Sequence, residues 1–420
     1  MLLLDNPIQN YAWGSRTSLA KLLGRPPSAQ PEAELWIGAH PKAPSLLEDG
    51  RSLLAAIVSD PDRMLGSAVH ERFGAQLPFL LKVLAVDSPL SLQAHPNLEQ
   101  AARGFAREEL AGVPLGAPER TYKDENHKPE LLCALTPFEA LSGFRPPAEA
   151  AALFEGLGVT STDVAAQLRQ RGPEPHRAAF ATLMSLSGEA RAKVTSDVLS
   201  RCERARAGVA GPFAASINWA CKLAAQYPGD IGAVASLLLN HLALAPLEAV
   251  YLEAGRLHAY LSGTGVEIMA NSDNVLRGGL TPKHVDVPEL LRVLVFDSPQ
   301  VLPTPTHVSP AGEITYLTPA PEFRLSRIDL PRAGSGEGQG RFAASVSGPE
   351  ILLCVEGQVG VELSSGPVAL GAGRLVPHAG LALGSATRRV LGPGKACFLP
   401  ASAGAYELEG KGRIFRATLG

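Results

Sequence analysis

The sequence is poor in cysteine, has no excess of basic residues and contains no long apolar run. Its five cysteines are spread over 420 residues without a C-x-x-C pair, which argues against a disulfide framework or a thiolate zinc site and favours a reducing compartment. Lysine and arginine number 38 against 41 acidic residues, a balance that is not typical of nucleic-acid binders. Because no run of about eighteen apolar residues occurs, we expect no membrane span.

The first residues also lack the pattern of a targeting segment. Three leucines lead directly into Asp5, and the first basic residue is Arg16. A secretory leader carries its basic residues before the apolar stretch. We therefore expect a soluble, cytoplasmic protein that works on neither nucleic acid nor membranes.

The length exceeds what one hydrophobic core usually fills, so we expect two or three domains. Short strand-like segments dominate residues 1–145, and an alanine-rich stretch with helical periodicity occupies residues 146–242. Strand character returns in residues 243–312, which end in the proline-rich Pro299–Pro310, and continues through residues 313–420. This order predicts a mostly β protein with a helical insertion and a second β domain of the jelly-roll kind.

Several local elements follow from the same patterns. Leu90–His95 is predicted as a strand, and Asn97 as the N-cap of the helix that follows it. Ile231–His241 is predicted as a helix, and Arg256–Leu261 and Val266–Ala270 as two separate strands. The first of these strands carries the strongest chemical signal.

Gln93 and His95 lie two residues apart on that strand, so their side chains project from the same face, and Ser91 shares it. Gln93 and His95 can each donate a lone pair to a metal ion. A hydrogen-bonded polar pair on an open sheet face is the alternative interpretation.

The charged segment Tyr122–Glu130 precedes an apolar strand. Pro129 favours an extended Lys128, which makes Glu130 the first residue of the strand. Such a segment is usually a solvated loop. A carboxylate at the start of a buried strand nevertheless needs a partner, and a cation is one candidate.

His258 lies in the predicted strand Arg256–Leu261, and a lone histidine at such a position is more often a structural residue than a ligand. Taken together, Gln93, His95, Glu130 and His258 offer two nitrogen and two oxygen donors for a divalent ion. This set suits zinc, and manganese, cobalt and iron stay open because no thiolate is present.

The segment Val266–His284 has no helical period and contains Gly278-Gly279, where the backbone can approach a ligand closely. Its Arg277 and Lys283 are candidates for clamping an anion. Ordinary surface charges are the default interpretation of such a pair.

In combination these segments resemble the type I phosphomannose isomerases, which are cupin-fold metalloenzymes. The matching blocks, in chain order, are Asn6–Ser15, Glu34–Ser45, Leu77–Asn97, Tyr122–Glu130, Ala254–Ser262 and Val266–Lys283. Several blocks in order are more specific than any single motif. His284 departs from the family, in which an aromatic residue is expected after Thr-Pro-Lys.

The resemblance implies a zinc-dependent enzyme that interconverts mannose 6-phosphate and fructose 6-phosphate through an enediolate. Separately, we expect the protein to be a monomer. The implied fold is a metal-bearing cupin barrel (residues 1–145 and 243–312) interrupted by a helical domain (146–242) and followed by a metal-free cupin-like barrel (313–420). A weak internal repeat, Leu252–Gly263 against Leu399–Gly410, sets His258 opposite Ala405 and agrees with the loss of a ligand in the second barrel.

The resemblance also implies roles for most of the candidate residues. One zinc ion per chain would be bound by Gln93, His95, Glu130 and His258. Arg277 would be the active-site arginine. For the acid/base, the chemistry of the reaction and not the resemblance favours Glu267 and Asp273 first, with His127 and Lys128 as rivals. The sugar-phosphate pocket would be lined by Ser91, Lys82, Lys128 and Lys283.

Two other hypotheses stay open from the sequence. A cupin metalloenzyme of another class, such as an iron oxygenase, would bind its metal with two histidines and a carboxylate, and the fourth donor Gln93 argues against it. A non-catalytic sugar-phosphate-binding protein would not need all four metal donors together with Arg277.

Overall fold

The computed structural model describes residues 1–170, 174–206, 208, 211–298, 300–331, 340–364 and 388–420. Pro299, the first residue of the predicted proline-rich connection, lies outside them, as do parts of the predicted domain 313–420. Within the described residues the chain forms twenty strands, twelve α-helices and two short 3-10 helices.

The strands, in chain order, are β1 (Leu2–Asp5), β2 (Ile8–Gln9), β3 (Glu34–Ile37), β4 (Leu46–Leu47), β5 (Phe79–Val86), β6 (Gln93–Ala94), β7 (Glu130–Ala134), β8 (Phe138–Phe144), β9 (Leu239–Leu244), β10 (Ala249–Leu252), β11 (His258–Ala270), β12 (Leu276–Arg277), β13 (Thr306–Val308), β14 (Ile314–Tyr316), β15 (Arg324–Leu330), β16 (Gly340–Ser345), β17 (Glu350–Leu363), β18 (Arg388–Leu391), β19 (Ala396–Leu399) and β20 (Ala405–Thr418). The α-helices are α1 (Ser18–Leu22), α2 (Leu53–Ser59), α3 (Pro61–Leu65), α4 (Ser67–Phe73), α5 (Leu98–Leu110), α6 (Pro147–Gly156), α7 (Val164–Arg169), α8 (Pro175–Ser185), α9 (Gly188–Arg206), α10 (Ala214–Gln226), α11 (Gly232–Ala235) and α12 (Val287–Val293). The 3-10 helices are Ser236–Leu238 and Ala401–Ala403.

The chain packs as two compact units. The first consists of Met1–Ala85, Gly265–Asn271 and Thr304–Gly420, and the second of Val86–Thr264 and Ser272–Pro303. These units group the chain by packing, and the division into domains at residues 145, 242 and 312 stays a prediction.

The first unit contains an antiparallel sheet in the order β13-β14-β15-β20-β17-β19-β1-β4, with β16 added to β20 and β18 to β17. Alternate residues of its strands, such as Ile328, Leu352, Tyr406 and Ile414, bury one face in a common core. The pairings among the described residues run from β13 to β4 without closing into a ring, so the second barrel predicted for residues 313–420 is not confirmed. The same unit holds β3 between β2 and β5.

The second unit combines short strands with most of the helices. β11 pairs with β6 and β8, β8 with β9, β7 with β10 and β6 with β12. Helices α6 to α11 lie between β8 and β9 along the chain, and their apolar faces form one core with residues of β6, β8 and β11. The predicted mostly β chain with a helical insertion is therefore confirmed.

The predicted helix after residue 97 is also confirmed. Asn97 is its N-cap, and its side chain accepts a hydrogen bond from the Gln100 N–H while the Gln100 side chain returns one to the Asn97 N–H. This reciprocal capping satisfies two N–H groups that the helix itself leaves unpaired. It explains why the sequence located the start of α5.

Two local predictions are wrong. Ile231–His241 is helical only to Leu238, after which the chain becomes β9 and pairs with β8, so the long-range pairing overrides the local helical pattern. The two strands predicted at Arg256–Leu261 and Val266–Ala270 are one continuous strand, β11. Gly263, with φ of +120°, is accommodated within it and not as a turn.

All five cysteines are free and buried. Burial raises the pKa of the Cys202 and Cys397 thiols to about 12, which keeps them protonated and unreactive. No helix in the described parts of the chain combines the length and the apolar character needed to cross a membrane.

Candidate metal centre

Strand pairing in the second unit brings the predicted metal ligands together. Gln93 of β6 pairs with His258, the first residue of β11, and on its other side with Arg277 of β12. His95 follows β6 directly, and Glu130 is the first residue of β7. Each predicted ligand therefore lies in a strand or directly beside one, so the sheet fixes its position.

Two imidazoles face one carboxylate at this point. His95 Nε2 lies 3.4 Å from Glu130 Oε1, and His258 Nε2 lies 3.4 Å from Glu130 Oε2. One potential ligand atom from each of the three residues lies within 4.8 Å of the others, and all three residues are at most 3% exposed. The cluster is compact enough for a single ion.

The remaining ring nitrogens fix the histidine tautomers. His95 Nδ1 lies 2.7 Å from the main-chain oxygen of Asn274, and His258 Nδ1 lies 2.9 Å from that of Arg256. Because a carbonyl oxygen only accepts, each Nδ1 must carry the proton and each neutral ring turns the lone pair of Nε2 towards Glu130. This arrangement of the outer nitrogen is the usual one for metal-ligating histidines.

The inner atoms have unused lone pairs. Neither Nε2 makes a hydrogen bond, and Glu130 Oε2 is likewise buried without a partner. These atoms are all hydrogen-bond acceptors, so they cannot satisfy one another in a buried site. A bound cation would satisfy all of them. The residues present therefore fit a divalent metal ion.

The protonation states support this fit. Burial lowers the pKa of His95 to about 4, so the ring is neutral at pH 7. Burial by itself favours the neutral acid of Glu130, but the Lys128 ammonium, 3.0 Å away, holds the pKa of that carboxyl well below its usual range. The cluster thus presents the neutral imidazole of His95 and one charge of −1 on Glu130 to a cation.

Arg277 is a cation without a carboxylate partner among the described residues. Its guanidinium is partly buried, which lowers its pKa from the usual value, and it lines a small pocket with Glu119, Thr121 and His284. An unpaired guanidinium in a pocket is suited to binding an anion.

The other predicted residues of the second unit have different surroundings. Ser91 is half-buried two residues before Gln93. Asp273 donates its main-chain N–H to Asp124 Oδ2 at 2.7 Å. Lys283 is exposed, and its main-chain N–H bonds to Thr281 Oγ1. His127 is half-buried.

Lys82 and Glu267 belong to the first unit, where they are paired. Lys82 Nζ lies 3.2 Å from Glu267 Oε2 and 3.5 Å from Glu34 Oε2, with the Trp36 ring 5.4 Å away. Sequence reasoning assigned no role to Glu34 or Trp36. The available sequence signal was Glu34 directly before the apolar residues Leu35–Ile37. All four residues are buried in β3, where a carboxylate needs a partner.

Asn274 is the third residue that sequence reasoning missed. It is fully buried, accepts the hydrogen bond of His95, and contacts the Tyr122–Glu130 segment through its side chain. The sequence signal was its position three residues before Arg277 in a polar segment that precedes a strand.

The chain resembles characterised proteins over nearly its whole length. Residues 1–147 match the family described as phosphomannose isomerase type I, catalytic domain. The mannose-6-phosphate isomerase of Escherichia coli K12 is 39% identical over 421 residues, which cover 98% of each chain. The Homo sapiens protein of the same name is 36% identical over 384 residues, covering 85% of this chain and 87% of its own. A crystal structure of zinc-bound mannose 6-phosphate isomerase superposes with a TM-score of 0.85 at 37% identity, covering 100% of this chain and 99% of that one.

Proposed function

Because this chain belongs to the type I phosphomannose isomerase family, we propose that it interconverts mannose 6-phosphate and fructose 6-phosphate with one zinc ion per chain. The observation that carries the proposal is the buried cluster in which His95, His258 and Glu130 turn unpaired acceptor atoms towards one another. Gln93 is the fourth ligand in this proposal, since it pairs with His258 across the sheet.

The reaction moves a proton between C2 and C1 of the sugar and exchanges a carbonyl for a hydroxyl group. When bound, zinc supplies a fixed positive charge next to the oxygens on which negative charge develops. Arg277 stays protonated at every relevant pH, so its role is to orient the substrate and stabilise developing charge, and not to abstract the proton.

The remaining assignments complete the proposal. Lys128 holds Glu130 ionised and restricts its rotation, because its ammonium lies against one carboxylate oxygen. Glu267 and Asp273 are the first candidates for proton transfer, with Lys128 and His127 as rivals. Ser91, Lys82 and Lys283 are assigned to the sugar phosphate.

We also infer that both parts of the fold are related cupin-like barrels, the second without metal. In support, Leu252 at the end of β10 pairs with Glu130, and Leu399 at the end of β19 pairs with Glu350. Each of these strands is followed, after the same number of residues, by a long strand, β11 or β20.

Glu350, the counterpart of Glu130 in the second sheet, is paired with a protein cation, whereas Glu130 faces two imidazoles. Glu350 is 1% exposed and accepts two hydrogen bonds from the Arg416 guanidinium, at 2.8 and 2.5 Å, and one from the Tyr406 hydroxyl. A guanidinium therefore neutralises the carboxylate of this sheet, in agreement with a metal-free second barrel.

Finally, we propose a cytoplasmic monomer without nucleic-acid or membrane partners. Five buried free thiols and the near balance of charges support this assignment. Light scattering of the purified protein at several concentrations measures the oligomeric state, and a mass of two chains would contradict it.

A coupled isomerase assay on purified protein tests the function. Treatment with a chelator should abolish conversion of mannose 6-phosphate, and stoichiometric zinc should restore it. Activity that persists without metal would contradict the proposal. Metal analysis of protein purified without added ions is the companion measurement: iron together with oxygen consumption would favour the oxygenase class, and sugar-phosphate binding without turnover would favour a binding protein.

A further inference from the structure

Asn274 connects His95 of the metal cluster to the segment Tyr122–Glu130, which ends at the cluster residue Glu130. Its side chain is fully buried and satisfied on both sides: Oδ1 accepts from the Lys123 N–H at 2.7 Å and the Asp124 N–H at 3.3 Å. Nδ2 donates to the main-chain oxygens of Asp124 and Asn126, both at 2.8 Å, and lies 3.2 Å from Asp124 Oδ1. The carboxamide therefore fixes the segment just before His127, Lys128 and Glu130.

The main chain of the same residue holds the other side of the site. The Asn274 carbonyl accepts the Nδ1–H of His95 at 2.7 Å, which sets both the tautomer and the rotation of that ring. Asn274 thus links His95, on one element, to the loop that leads into Glu130, on another.

Neighbouring residues hold Asn274 in place. Asp124 Oδ1 accepts from the Ser272 hydroxyl at 2.8 Å, and Asp124 Oδ2 accepts from the Asp273 N–H at 2.7 Å. The Asn274 N–H in turn donates to Ser272 Oγ at 3.2 Å. These bonds join residues 272–274 and 123–126 into one hydrogen-bonded network. If the loop 123–126 shifts, the Asn274 carbonyl that orients His95 therefore shifts with it.

We propose that Asn274 is a positioning residue that aligns His95 and Glu130 with each other, so that its carboxamide determines metal affinity without touching the metal. The inference rests on the metal site of the proposed function. Outer hydrogen-bond partners of this kind typically contribute 10- to 100-fold to metal affinity.

The Asn274→Asp variant separates this role from simple packing. Aspartate has the same shape, but it places a charged acceptor against the Asp124 and Asn126 oxygens to which Nδ2 now donates. We expect the dissociation constant for zinc, measured by competition with a chromophoric chelator, to rise about 10- to 100-fold. The visible spectrum of the cobalt-loaded variant should change as the ligands shift.

Asn240→Asp is the matched control. Asn240 donates to the main-chain oxygens of Ser142, Gly143 and Phe144 in the same unit, and none of its hydrogen bonds within the described residues reaches His95 or residues 122–130. This variant should lose thermal stability while keeping the zinc affinity of the unmodified protein. An equal loss of zinc affinity in both variants would overturn the proposal, because general destabilisation would then explain it.

Ser272→Ala provides a milder change if Asn274→Asp does not fold. It removes the hydroxyl that bridges Asp124 and the Asn274 N–H, and we expect a smaller loss of zinc affinity in the same direction. Unchanged zinc affinity in the folded Asn274 or Ser272 variant would refute the positioning role. The two proposals fail differently: an unmodified protein that does not isomerise mannose 6-phosphate refutes the function, whereas the zinc titrations are read without any turnover.

Discussion

At the scale of residues, three buried histidines differ in what their ring nitrogens contact. In His95 and His258 the Nδ1–H donates a hydrogen bond to a main-chain carbonyl, and Nε2 faces Glu130. His176 stacks on Phe144, with ring centroids 4.9 Å apart, and neither of its nitrogens has a partner. Burial alone therefore does not identify a ligand, but the direction of a fixed lone pair does.

The first prediction separates metal binding from catalysis. His258→Ala removes a nitrogen donor and should leave less than one zinc per chain after dialysis. Arg277→Ala should retain a full zinc ion but lower kcat by about 10²- to 10³-fold, since it removes charge stabilisation and no ligand. Elemental analysis and the coupled assay on both variants test this, and release of zinc from Arg277→Ala would show that the two roles are not separate.

The second prediction concerns the pH dependence of stability. Burial lowers the pKa of His176 to about 4, below its value of about 6.5 in the unfolded chain. As the pH falls, the unfolded state therefore binds this proton before the folded state does. The free energy of unfolding is highest above pH 6.5 and decreases as the pH falls from 6.5 towards 4. The loss amounts to about 3 kcal/mol for this residue.

His176→Phe checks this origin. The variant keeps an aromatic ring against Phe144 and removes two unsatisfied nitrogens, so the free energy of unfolding at pH 7 should rise by about 1 kcal/mol. Its stability should also decline less than that of the unmodified protein between pH 6.5 and 4. Urea unfolding of both proteins across this range measures the difference, and parallel curves would contradict the assignment.

At the scale of elements, helix α5 and the charged loop are fitted to each other. Gly104 faces the Tyr122 ring so closely that a Cβ atom at this position would overlap it. The Tyr122 hydroxyl donates to Glu289 at 2.7 Å, so the ring has little freedom to move. A glycine inside a helix is explained here by packing against the first residue of the loop.

The third prediction tests this contact. Gly104→Ala should destabilise the protein by about 1–3 kcal/mol through overpacking, although alanine is the better helix former. Gly156→Ala, at the end of α6 where nothing lies within 4 Å of the new methyl group, is the control and should be neutral or slightly stabilising. Thermal unfolding of the two variants compares them, and equal melting temperatures would contradict the role of Tyr122.

Elements with a local signal were predictable and those fixed by distant partners were not. The capping residues of α5 are adjacent in sequence, so Asn97 identified the helix start. Residues 239–244 follow a segment with a helical sequence pattern, yet they form a strand that pairs with β8, about a hundred positions earlier in the chain. No local pattern contains that partner, which explains why the helix predicted at Ile231–His241 ends at Leu238 instead.

At the scale of the molecule, the proposed ligands all belong to one of the two packing units. A metal ion stabilises the folded state that binds it by about 4 kcal/mol at a thousand times its dissociation constant. The fourth prediction is that zinc slows amide hydrogen exchange mainly in residues 86–264 and 272–298, above all near His95, Glu130 and His258. Exchange in residues 388–420 should change little.

Mass-spectrometric exchange of chelator-treated and zinc-loaded protein provides this measurement. The Arg416–Glu350 pair of the first unit serves as an internal reference, because its carboxylate is already neutralised by a guanidinium. An equal increase of protection in both units would mean that zinc stabilises the chain as a single cooperative body.

The sequence by itself determined the donor types and the charged segment that ends at Glu130, because these depend on neighbouring residues. The shared face of Gln93 and His95 stays a prediction from strand periodicity. The sequence also carried the family resemblance. Only the tertiary structure decided which nitrogen of each histidine faces Glu130, that Lys82 pairs with Glu267, and that Asn274 joins the two sides of the cluster. These features depend on strand register and on contacts between segments more than a hundred residues apart, which spacing along the chain does not specify.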